Sequence, residues 1–94
     1  MNSFYIISYK GRNSNDFKEL IKMCGSWFNI FENQYIVCTS YNIATIKQHL
    51  EDGINKKTDI YLILEIELLG RTGLLPKNAW DWIKSQEQRT HRGG

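Results

Sequence analysis

The sequence predicts an α+β fold built on one antiparallel sheet. Three observations lead there. Strand-like and helix-like segments alternate as β-α-β-β-α-β, the apolar period switches from two to about 3.6 and back, and no repeat, linker or second domain interrupts the order. The chain has 94 residues, 41% of them hydrophobic and 13% aromatic. That length buries roughly 60–65% of the unfolded surface, enough for one modest core.

Ser3 to Tyr9 opens the sheet. Its alternating sets, Phe4/Ile6/Ser8 and Tyr5/Ile7/Tyr9, are both largely apolar, which places this strand centrally with both faces covered. From Asp16 the spacing of Phe17, Leu20, Ile21 and Cys24 draws one stripe of an amphipathic helix. Asn13, Ser14, Asn15 and Asp16 offer N-caps for it, and Gly25 is placed to end it. Two strands follow, Ser26–Glu32 and Gln34–Ser40, around a tight turn at Asn33, a residue type that tolerates positive φ. Ile43, Ile46, Leu50 and Ile54 mark a second helix, capped by Asn42 and fading near Gly53.

After the polar turn "NKKTD" comes a last strand, "IYLILEIELL". Ile60, Leu62, Leu64, Ile66 and Leu68 share one face; Tyr61, Ile63, Glu65 and Glu67 share the other. "GRTG" is then a loop, and Pro76 begins a short helix with Ala79, Trp80 and Ile83 on one side. Trp80 and Trp82 point well apart on it, so one is expected on the domain and the other against a partner or ligand. Residues 1–84 make a single domain, and 85–94, without an apolar residue, a disordered tail. The element order is that of the split βαβ, ferredoxin-like arrangement: a four-stranded antiparallel sheet with two helices on one face, plus the short C-terminal helix. One layer of helices leaves the second apolar face of the first strand bare, which predicts a homodimer or an assembly of dimers.

Several classes are excluded or disfavoured. No apolar run is long enough for a membrane span and the N-terminus lacks a signal-peptide pattern, so a cytosolic protein is expected. Cys24 and Cys38 show no metal or redox spacing and read as buried thiols. No cofactor is implied. A net charge of +2 does not by itself point to a nucleic acid.

Four stretches together carry a resemblance: "YIISY" as first strand, "GRN" directly after it, "GSWFNIFENQYIV" as helix end and hairpin, and "LLPKNAWDWI" near the end. In this order they span most of residues 4–84, and the chain resembles the small CRISPR-associated protein 2 family and its relatives outside CRISPR loci, the VapD- and SinR-like proteins. The resemblance implies a ferredoxin-like homodimer. Several members of that family are metal-dependent nucleases, whose metal ligand is an aspartate ending the first strand directly after an aromatic residue. Here Lys10 follows Tyr9. Mg²⁺ needs hard oxygen ligands, and an ammonium in that place repels it. If a dimer brought the two copies together, the exchange would change the site's charge by about four units.

The same exchange attracts anions. Lys10, Gly11, Arg12, Asn13 and Ser14 join a strand end to a helix N-terminus, where backbone N–H groups and the helix dipole favour negative charge. Gly11 permits close approach, Arg12 supplies a planar donor suited to phosphate, and Arg71 in "GRTG" is a weaker second contact. The plainer reading of Lys10–Ser14 is a solvated loop with good capping residues. Glu65/Glu67 and His49 fit an alternating exposed strand end and a helix surface. The expected function is therefore a non-catalytic, homodimeric binder of a phosphate-bearing ligand, a nucleic acid or nucleotide, with no catalytic or metal-binding residues. The alternatives are an active metal-dependent endoribonuclease or DNase of that family with displaced ligands such as Asp16 or Glu65, and a phage- or toxin–antitoxin-type protein-interaction inhibitor.

Overall fold

The computed structural model describes residues 2–67 and 76–92, with side chains through Gln88 in the last helix. The elements are β1 (Ser3–Lys10), α1 (Ser14–Lys22), β2 (Ser26–Phe31), β3 (Gln34–Thr39), α2 (Ile43–Glu51), β4 (Ile60–Ile66) and α3 (Lys77–Arg92). The strands form one antiparallel sheet in the order β2-β3-β1-β4, so the α+β, ferredoxin-like βαββαβ arrangement expected from the sequence is the one observed.

Local chemistry explains the turns. Asn33 takes φ 57° between β2 and β3, the positive-φ geometry a tight hairpin needs. Gly25 takes φ 154° after α1, and a Cβ there would lie 2.7 Å from the Cys38 carbonyl oxygen. Only glycine fits.

The sheet carries two cores. On one face Tyr5, Ile7, Tyr9, Tyr35 and Val37 meet Phe17, Ile21 and Cys24 from the α1 region and Ile46 and Leu50 from α2. On the other, Phe4, Ile36 and Cys38 meet Ile83 of α3, with Trp80 and Trp82 packed against them. Both cysteines are buried, but they belong to opposite faces.

Two expectations change here. The helix does not stop near residue 84: α3 runs to Arg92 and buries Gln86. Ala79, Ile83 and Gln86 fall at i, i+4 and i+7, so a polar residue completes the buried stripe and hides it from an apolar reading. Both tryptophans pack on the domain, Trp82 with its ring 5.8 Å from Phe28. The second face of β1 is thus covered in part by the chain itself. The sequence left open which face of β4 is covered: Ile60, Leu62 and Leu64, on its more apolar face, are exposed, while Tyr61 and Ile63 pack on the main core. Leu68 lies outside the described residues.

Candidate functional site

The junction of β1 and α1 is built around a residue far away in sequence. β1 turns Tyr9 inward and Lys10 outward, where Lys10 pairs with Ile60 at the start of β4. The buried Tyr9 ring stacks on Phe17 of α1, with centroids 4.3 Å apart. Its hydroxyl donates to Asp59 Oδ1 (3.0 Å) and accepts from the Asn13 backbone N–H (2.9 Å).

Asp59 is 7% exposed, and its carboxylate is the anion at the heart of this junction. Asn55 N–H donates to Oδ2 (3.0 Å), and the Thr58 hydroxyl lies 3.4 Å from Oδ1. The Asn55 amide above all, then the Tyr9 hydroxyl, Thr58 and the Arg12 backbone amide, hold the carboxyl below its ordinary value against the opposing effect of burial. Burial first, and the Asp59 carboxylate with it, push the Tyr9 hydroxyl above its ordinary value.

This geometry reassigns Gly11. A Cβ at Gly11 would lie 2.3 Å from Asp59 Oδ1 and 2.4 Å from the Tyr9 hydroxyl oxygen. The close approach expected of a ligand is made by the protein's own carboxylate. The Asn13 amide is likewise committed to Tyr9, so the loop backbone is not an open cradle.

What stays open is the first turn of α1. Asn13 is the N-cap, at φ −118° and ψ 51°, and its side chain makes no capping hydrogen bond. The first intrahelical bond closes from Phe17 N–H to the Asn13 carbonyl, leaving the amides of Ser14, Asn15 and Asp16 as the usual unpartnered donors of a helix start. Lys10 and Arg12 are exposed beside this turn and make no ion pair among the described residues. Ser14 is half-buried as the first helical residue. The structure therefore brings Lys10–Ser14 together at one end of the sheet; Arg71 lies outside the described residues.

The displaced carboxylates do not converge. Asp16 sits in the first turn of α1, whereas Glu65 pairs with Tyr5, well along the sheet from Tyr9. Among the described residues no three His, Cys, Asp or Glu side chains gather where they could hold a metal ion. His49 is half-buried and stacks on Tyr41 at 5.3 Å. No described helix is long and apolar enough to cross a membrane.

Asp59, Tyr9 and Asn55 are the residues that sequence reasoning missed. A lone aspartate ending "NKKTD" looks like any turn residue, and nothing local pairs it with a tyrosine 50 positions away.

No protein-family model matches the chain, and no curated protein is significantly similar to it.

Proposed function

We propose that this chain is a non-catalytic, homodimeric protein that binds a phosphate-bearing ligand, a nucleic acid or nucleotide, at the start of α1. One observation carries the reading: the N-terminus of α1 lacks a side-chain cap and is flanked by two exposed cations, Lys10 and Arg12, that make no ion pair among the described residues. Amides and dipole favour an anion at such a terminus, and a guanidinium adds two parallel donors for phosphate oxygens. Asp59 supports the same reading indirectly, because it holds the loop in shape without engaging either cation's side chain. The resemblance to the CRISPR-associated protein 2-like proteins supports the ligand class, and Lys10 in place of their aspartate supports binding without metal-dependent cleavage.

Fluorescence anisotropy with a labelled single-stranded oligonucleotide tests it. Arg12→Ala is expected to weaken binding by about 1.5–3 kcal/mol, and Lys10→Ala by less, since lysine supplies a point charge rather than a fork. Each change flattens the salt dependence by about one ion for every phosphate that is no longer held. Unchanged affinity in both variants, or Mg²⁺-stimulated cleavage abolished by a chelator, contradicts the reading.

A further inference from the structure

Among the described residues the sheet has two edges, β2 and β4, and only β2 is guarded. On β2 the register slips between Asn29 and Phe31, and the Asn29 side-chain amide donates to the carbonyls of Phe31 (2.7 Å) and Gln34 (3.0 Å). Such an irregularity twists an edge away from further pairing. β4 has no such device: its residues pair with β1 in unbroken register, and "IYLILEI" contains no proline, glycine or lysine.

Apolar surface flanks the free edge of β4 on both sides. On the outer face Ile60, Leu62 and Leu64 are 66%, 54% and 50% exposed. Beside α2 a groove of about 470 Å³ opens along β4, lined by Ile43, Ala44, Lys47, Tyr61, Leu62 and Ile63. A strand added to this edge satisfies its backbone groups and sends alternate side chains to the two sides.

We propose that a second copy of this chain supplies that strand, β4 pairing antiparallel with the partner's β4 about a two-fold axis through Ile63. The inference rests on the homodimer reading above and names its surface. Self-complementarity argues for it. With Ile63 on the axis all seven residues of β4 are used, Leu62 lies opposite the partner's Leu64, and Ile60 opposite the partner's Ile66. Tyr61 lies opposite the partner's Glu65, which makes no ion pair in its own chain among the described residues. Lys47 lines the same groove as Tyr61 and is held only loosely by Glu51 of its own chain (3.9 Å), so this pairing sets each protomer's lysine near the other's glutamate, twice by symmetry. Centring the axis on Leu62 instead sets Glu65 and Ile66 opposite the partner's residues 59 and 58, beyond the partner's strand. Centring it on Leu64 leaves Ile60 and Tyr61 beyond the partner's strand.

Two experiments on the full chain test the pairing. Oxidised Leu62→Cys/Leu64→Cys protein should run as a covalent dimer without reductant, with each single variant linking far less, because position 62 faces the partner's 64 and neither faces its own copy. By sedimentation, Lys47→Glu or Glu65→Lys should each raise the dimer Kd roughly tenfold, and the double swap should restore it to within about threefold. Both positions are exposed, but Lys47 also lies 3.9 Å from Glu51 of its own helix, so thermal denaturation of each variant separates a loss of folding from a loss of dimer. A dimer that neither cross-links at 62/64 nor responds to the charge swap overturns the β4 pairing and leaves the homodimer standing. A stable monomer at micromolar concentration overturns both.

Discussion

The two places where a strand hands over to a helix after passing through the core make an instructive pair. At the β3–α2 junction Asn42 is extended at φ −82° and ψ 171°, and its side chain accepts from the Thr45 backbone N–H (2.8 Å) and hydroxyl (3.0 Å). At the β1–α1 junction Asn13 holds the same position with ψ 51°, a backbone turned away from the usual cap geometry, and its side chain accepts nothing from the first turn. The Asn13 amide is drawn instead to Tyr9, which is held by Asp59. The fold can cap a helix with asparagine, and does so at α2. At α1 the cap is given up to a latch between two loops, and the first-turn donors are left beside Lys10 and Arg12.

The largest expected effect comes from removing the latch. Asp59→Ala takes the acceptor from Tyr9 and Asn55 together and should lower the melting temperature more than any other single change at the two junctions, read by thermal denaturation. The pH dependence has a definite sign. Asp59 has a folded-state pKa below its ordinary 3.8, so its contribution is complete above that value and is lost as pH falls through the folded pKa. Asp59→Asn should flatten acid unfolding in that window; an unchanged acid limb would show that another carboxylate governs it.

Gly11→Ala should come next, at roughly 1–3 kcal/mol in a denaturant titration, because the new methyl group must displace Asp59 or Tyr9. A neutral result would mean that the junction relaxes freely and is no latch.

The smallest changes compare the two caps directly. Asn42→Ala should cost about 1 kcal/mol, the usual value for losing a capping bond. Asn13→Ala should cost only a few tenths, since no side-chain bond is lost. Equal losses would erase the contrast between the junctions.

Much of the fold was legible in the sequence because it is locally encoded. The Asn33 turn, the Asn42 cap and the switch of apolar period at each boundary each depend on a few neighbouring residues. The misreadings share a cause of another kind. Alternation shows that β4 has a more apolar face but not which face the helices cover, so the exposure of Ile60, Leu62 and Leu64 could not be read from it. α3 looked short because Gln86 stands where an apolar residue would have continued its stripe. In the site, Lys10–Ser14 could be read from a strand end meeting capping residues, whereas the carboxylate filling the loop comes from across the fold and leaves no mark near it.

The anion site proposed at the open start of α1 has no counterpart at the capped start of α2. Amide-resolved NMR during titration with inorganic phosphate measures this most directly. The expected result is a saturable shift of the Ser14, Asn15 and Asp16 amides, abolished in Arg12→Ala, with the amides of Ile43 to Thr45 unmoved. No saturable shift at α1, or equal shifts at both helix starts, would contradict the account.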